Sequence, residues 1–295
     1  MSPLSILTVH AHPDDEASKG SATVARYAAA GVRSTLVCCT GGEEGDILNP
    51  ALDRPEVRAN LADVRRDELA RAAEAIGYDT VHLLGYRDSG MADSPTNDHP
   101  ECFAQAPLDE AVERLVRIIR AERPQVVVTY GDDQQGYRHP DHLKVHDISR
   151  PAFDLAADGS AFPDAGEAWQ PLKLYYTTWS RARISALHQR YLDLGRESPY
   201  DDRWFTRPSD DHRITTRVDI RHWYEHRDAA LRAHATQVDP DSAFWFGLPT
   251  EEAADAYPWD DYILAHSHVD TEVPEQCLFD GIAVVDVVTS ASRRA

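Results

Sequence analysis

Lysine is almost missing from this 295-residue chain: Lys19, Lys144 and Lys173 are the only three, so nearly all of its basic charge is arginine. Basic residues are also outnumbered, 30 against 50 acidic ones, for a formal charge of −20. A surface that acidic repels phosphate backbones and anionic lipid, which argues against nucleic acid and membrane surfaces as partners. No run approaches the ~18 apolar residues of a spanning helix. The opening segment Met1–Val9 has no basic cluster, and the polar stretch from His10 to Glu16 cuts its apolar run short. It reads as neither signal peptide nor anchor, so a soluble, cytoplasmic protein is expected. Four cysteines with no C-x-x-C are too few for a disulfide framework and read as buried, inert thiols. No G-x-G-x-x-G follows the first apolar run, which argues against dinucleotide, and no G-x-S-x-G elbow marks a serine hydrolase.

What is present is an alternation of short apolar runs with helical periodicity, the pattern of βαβ units around a mostly parallel sheet. Strands are expected at 6–9, 34–40, 80–84 and 125–130, and helices at 17–30, 56–76, 108–122 and 142–157. Gly31 and Gly77 stand where left-handed helix stops belong, and Pro124 ends the third helix. Farther on the pattern is less regular, with strands expected at 174–179 and 213–220 and helices at 182–194, 222–236 and 250–266. The reading is a Rossmann-like α/β fold with helices on both faces and a C-terminal α+β extension. Residues 1–165 would form the metal-binding core and 166–295 the extension completing the pocket, integrated in one domain. The last ten residues are expected to fray.

In an open parallel sheet, function gathers beyond the carboxyl ends of the strands. Three polar loops are expected there: His10 to Glu16, Gly41 to Asp46, and Gly131 to His142. The first contains His12-Pro13-Asp14-Asp15-Glu16 and the third His139-Pro140-Asp141-His142. Imidazole and carboxylate are the ligand types of a catalytic zinc, and an adjacent spare aspartate could face a water there. Read singly, these carboxylates are helix caps; together at neighbouring strand ends they point to a metal-dependent hydrolase. Two histidines and one carboxylate also suit Fe(II), so an iron oxygenase is the competing reaction class and a Rossmann-type binding module the non-enzymatic one. An extra aspartate has a role in hydrolysis and none in oxygen activation.

The paired motifs resemble the LmbE-like (PIG-L) zinc deacetylases, which hydrolyse N-acyl groups from amino sugars on a Rossmann-like sheet. The likeness covers about residues 5 to 155. Within the family, Gly42-Glu43-Glu44-Gly45, Arg87-Asp88-Ser89-Gly90-Met91, Gly136-Tyr137 and Ala233-His234-Ala235-Thr236-Gln237 resemble the mycothiol enzymes. Lys19 points to the branch that cleaves mycothiol S-conjugates rather than the branch that deacetylates N-acetylglucosaminyl-inositol. The resemblance implies His12, Asp15 and His142 as ligands of Zn2+ or Fe2+, with Asp14 as general base. It also implies a small thiol-glycoside substrate contacted by Arg65, Asp88, Asp46, Lys19 and Gln237. Chemistry adds Tyr137 or His139 as oxyanion donor and Asp141 as a carboxylate orienting an imidazole. Either Asp14 or His139 would protonate the leaving amine. Arg65 lies on the inward stripe of its helix, where pairing to a structural carboxylate is the alternative. His222 and His226, four apart, are read as structural.

Overall fold

The computed structural model describes residues 3–134 and 136–282. Seven strands form one sheet: β1 (Ser5–His10), β2 (Arg33–Thr40), β3 (Thr80–Tyr86), β4 (Val126–Tyr130), β5 (Lys173–Thr178), β6 (Thr216–Asp219) and β7 (Trp259–Ser267). Their order is β3-β2-β1-β4-β5-β7-β6. The first five are mutually parallel, and β7 runs antiparallel to both β5 and β6. The fold is α/β with a mostly parallel sheet, and strands from both halves of the chain share it.

Side chains alternate across the strands, so each strand feeds two cores. Leu7 and Val9 of β1, Val37 and Cys39 of β2 and Val127 of β4 face one side, where they meet Val112, Leu115 and Ile119 and then Val145, Ile148 and Ala152. Those partners belong to two helices that are numbered below as α5 and α6. On the other side Ile6, Val126 and Val128 pack with Ala22 and Tyr27, while Leu36 and Cys38 meet Leu69 and Ala73. Val126, Val127 and Val128 are all buried, as a strand covered on both faces requires.

The helices, in chain order, are α1 (Asp15–Ser18), α2 (Ser21–Ala29), α3 (Pro55–Ala59), α4 (Leu61–Ile76), α5 (Leu108–Glu122), α6 (Pro140–Leu155), α7 (Arg181–Asp193), α8 (Asp202–Thr206), α9 (Tyr224–Ala233), α10 (Ala243–Phe246) and α11 (Thr250–Ala256). The helix expected over 17–30 is two helices, broken where Gly20 takes φ 96°. The expected helix over 56–76 is likewise divided at Asn60 and ends at Gly77, with φ 95°. α6 begins before His142 because His139 caps it, its side chain accepting from the Asp141 N–H, with Pro140 in the first turn.

The expected helix over 250–266 is a correction. Only α11 is helical; Tyr257 is extended, Pro258 follows, and the chain turns into β7. Proline cannot continue the helix, and the apolar run Tyr262-Ile263-Leu264 has strands on both sides to pair with. All four cysteines are free and buried. No helix among the described residues is long and apolar enough to cross a membrane. The fraying expected of the last ten residues falls outside the described residues.

Candidate active site

The chain leaves β1 toward β2 and β3 on one side, whereas β4 and β5 lie on the other. This is the switch point of the sheet, where the loops after β1 and β4 diverge and leave a crevice. The first carries His12 and Asp14 and runs into α1, which begins at Asp15; the second carries Tyr137 and His139 and runs into the first turn of α6, which holds Asp141 and His142. Both loops are pinned: the Tyr130 hydroxyl at the end of β4 accepts the Ala11 N–H at 3.0 Å.

His12, Asp15 and His142 converge, all buried, with donor atoms close enough to share one ion. Asp15 Oδ2 lies 3.4 Å from His12 Nδ1 and 3.3 Å from His142 Nε2. Metal–ligand bonds of 2.0–2.2 Å in a tetrahedron put neighbouring donors about 3.3–3.6 Å apart, so the two separations from Asp15 Oδ2 match those around a zinc-sized ion. The other oxygen, Asp15 Oδ1, is ion-paired with Lys19 Nζ. Burial works to raise the Asp15 carboxyl, but His142, Lys19 and His12 hold it well below the usual carboxylate range.

The far nitrogen of His12 is also engaged. Nε2 is 3.1 Å from Asp141 Oδ2 and 3.5 Å from Asp88 Oδ1. Asp141, fully buried, accepts the Ser89 N–H at 2.9 Å and the Ser89 hydroxyl as well. An Nε2–H donated to this carboxylate leaves Nδ1 as the free lone pair, facing Asp15 and His142. His12, Asp88, His139 and Asp141 form a second cluster of ligand-type side chains sharing His12 with the first. His139 Nδ1 accepts the Asp141 N–H at 3.2 Å, which places the proton of the neutral ring on Nε2. Burial is the chief cause that pushes the His139 pKa down to about 4. Tyr137 is half exposed, its ring 5.0 Å from that of His142 and 6.1 Å from that of His139.

Asp14 stands outside the three-donor group. Its φ is 127°, left-handed space that costs a non-glycine residue about 1–3 kcal/mol. Its carboxylate accepts from Arg65 Nη2 at 3.0 Å, and burial, opposed by Arg65, raises its pKa. Arg65, 2% exposed, also donates to the carbonyls of Gly42 and Pro13, so this arginine ties the loops after β1 and β2 together. The carboxylate Arg65 pairs with is Asp14, the residue expected as general base, and not a purely structural one.

The remaining expected residues are scattered. Asp88 joins the cluster through His12. Asp46 is exposed on the loop after β2. Gln237 is half-buried, bonded to Thr236, with its Oε1 close against Gly45. His226 bonds the Ala75 carbonyl at 2.8 Å, a structural role, and neither it nor His222 belongs to a metal-type group among the described residues. Sequence reading missed Ser89, which holds Asp141. It also left His234 without a role; its Nε2 is bonded to Glu16, and both are wholly buried. Ser89 lies three residues beyond β3, so extending the strand-end rule to that loop would have found it.

Residues 7–153 match the family described as PIG-L: GlcNAc-PI de-N-acetylase. The chain is 46% identical over 288 residues to a protein of Streptomyces coelicolor named mycothiol S-conjugate amidase, covering 95% of this chain and 97% of that one. The chain belongs to the PIG-L family. Another relative, from Thermobispora bispora, is named 1D-myo-inositol 2-acetamido-2-deoxy-alpha-D-glucopyranoside deacetylase; it is 45% identical over 256 residues, 82% of each chain. This PIG-L family member is therefore a hydrolase of amide bonds. Among solved structures, N,N'-diacetylchitobiose deacetylase of Pyrococcus horikoshii superposes with a TM-score of 0.62 at 18% identity, over 88% of this chain and 83% of its own. GalB of Pseudomonas putida, a 4-carboxy-2-hydroxymuconate hydratase, reaches 0.58 at 19% identity, over 91% and 99%. A hydratase on the same fold means that the reaction rests on the sequence relatives and the site, not on the architecture.

Proposed function

We propose that this enzyme cleaves mycothiol S-conjugates at the amide joining the S-substituted acetylcysteine to glucosaminyl-inositol, releasing a mercapturic acid and the amine. The observation that carries this reading is the 46% identity, spread over nearly the whole of both chains, to the relative named as that amidase. His12 Nδ1, Asp15 Oδ2 and His142 Nε2 would hold a zinc ion, Fe(II) being the other ion such ligands suit. When bound, that ion supplies Lewis acidity to the amide carbonyl and to water.

The chain's own groups do the rest. Asp14 takes a proton from the attacking water and returns it to the leaving nitrogen. His139 would donate its Nε2–H to the oxyanion, and the Tyr137 hydroxyl, which donates to Met91 Sδ at 3.7 Å, would turn from it to serve as a second donor. With a pKa near 4, His139 is neutral at physiological pH, which favours Asp14 over His139 as the acid toward the leaving amine. Asp141, gripped by Ser89, fixes the tautomer of His12. Asp88 and Gln237 would meet substrate hydroxyls, and Lys19 and Asp46 its outer parts. Arg65 would act on substrate chiefly through Asp14. The compartment proposed is the cytoplasm, with no nucleic acid or membrane partner.

The second reading is deacetylation of N-acetylglucosaminyl-inositol, favoured by the 45% identity to the deacetylase of Thermobispora bispora. A paired assay of zinc-loaded enzyme separates the two. A bimane conjugate of mycothiol should be turned over with kcat/KM at least about tenfold above the acetylated sugar, roughly 1.4 kcal/mol in transition-state binding. The reverse ratio would assign the enzyme to the deacetylases.

A further inference from the structure

The peptide joining Pro13 to Asp14 is gripped at both ends. Its carbonyl oxygen accepts from Arg65 Nη2, and its N–H donates to Glu16 Oε2 at 2.9 Å. Glu16 is fully buried, and its other oxygen is engaged by Nε2 of His234, also fully buried, just beyond α9. α9 in turn packs on α4, the helix that carries Arg65. Neither Glu16 nor His234 is placed to touch the three candidate ligand atoms.

The gripped orientation is the unfavourable one. Asp14 has φ 127° and ψ −27°, immediately before α1 begins at Asp15. Turning that peptide plane by about 180° would bring φ to about −53° at the same ψ, ordinary right-handed helical values. Asp14 would then simply extend α1. The flipped peptide would, however, face its carbonyl to the Glu16 carboxylate and its N–H to the guanidinium, acceptor against acceptor and donor against donor. The two buried partners thus hold the state that local geometry disfavours.

We propose that Glu16, braced by His234, and Arg65 are positioning residues that lock the Pro13–Asp14 peptide in its strained orientation and so aim the Asp14 carboxylate at the reacting centre. The part concerning catalysis rests on Asp14 being the base; the lock itself does not.

Two measurements test it on the zinc-loaded full chain. Glu16→Ala should lower kcat by about 10- to 100-fold with KM and metal content unchanged, as expected for a misaimed group. Glu16→Gln, whose amide oxygen still accepts the Asp14 N–H, should recover most of that loss. In an Asp14→Ala background, Glu16→Ala should cost nothing further, since it acts through Asp14. The second readout needs no activity. With Glu16 present, Asp14→Gly should melt above Asp14→Ala, because glycine alone tolerates the strained φ. With Glu16→Ala the order should invert, because the flipped peptide is helical and alanine is the better helix former. The same melting order in both backgrounds overturns the lock, and so do kcat losses that add. Full turnover by Asp14→Ala alone would remove the base assignment, leaving the melting comparison to decide the lock by itself.

Discussion

Lys19 is ion-paired to Asp15 through Oδ1, and this leaves Oδ2 as the oxygen that faces both His12 and His142. The carboxylate is therefore presented one oxygen at a time. The price is a cation beside the position of a divalent ion. Lys19→Met should tighten metal binding by up to about tenfold through lost repulsion, measured by competition with a chelator. A loosening of similar size would mean that Lys19 serves chiefly to hold the Asp15 rotamer.

Asp14 lies outside the donor group while His12 is central to it, so their substitutions should separate. Asp14→Asn is expected to retain one equivalent of metal and lose about 10²–10⁴-fold in kcat. His12→Ala should lose the metal as well. Elemental analysis alongside steady-state kinetics checks both, and substantial turnover by either variant counts against the mechanism.

How much of this was readable from residues alone follows from where the information is local. β1, β2 and β4 are apolar runs bounded by a motif or a breaker, and α4 and α5 have a 3.6-residue stripe with Gly77 or Pro124 beyond it, so their type and place were legible. β7 was not: Tyr262-Ile263-Leu264 fits a helix or a strand equally, and only its pairing to β5 and β6 decides. Pro258 was the local clue. In the site, ligand chemistry at adjacent strand ends pointed to the two loops, and it was the family resemblance that singled out His12, Asp15 and His142 within them. Arg65 was legible as odd, an arginine on an inward stripe, but not its partner. The Glu16–His234 bond spans 218 residues, and no spacing rule reaches that far.

His139 gives a pH signature. Burial pushes its pKa down to about 4, and its Nδ1 already accepts the Asp141 N–H. It is neutral across pH 6–9 and cannot supply an alkaline limb there. His139→Ala should lower kcat about 10²–10³-fold, as for loss of an oxyanion donor, with the alkaline limb of kcat in place. Disappearance of that limb would make His139 the acid.

Far from the crevice, Lys173 and Glu275 form a wholly buried ion pair, with hydroxyls of Thr216, Tyr175 and Thr271 on the same carboxylate. Burial works to raise the Glu275 carboxyl, but Lys173 and these hydroxyls hold it below its ordinary 4.5. A depressed carboxyl stabilises the fold fully above about pH 4.5, and the contribution disappears as pH falls through the lowered value. Lys173→Met strands the carboxylate and should cost about 3–5 kcal/mol at pH 7, read by denaturant melts. The deficit should shrink toward pH 4; a deficit independent of pH contradicts the pairing.

The central claim is that loops after β1 and β4 meet around one divalent ion, and anomalous diffraction at the zinc edge tests it most directly. One peak bonded to His12 Nδ1, Asp15 Oδ2 and His142 Nε2, with the Asp14 carboxylate beside it but not bound, is the predicted result. A peak ligated instead by Asp88, His139 and Asp141, or by Asp14 itself, would contradict it.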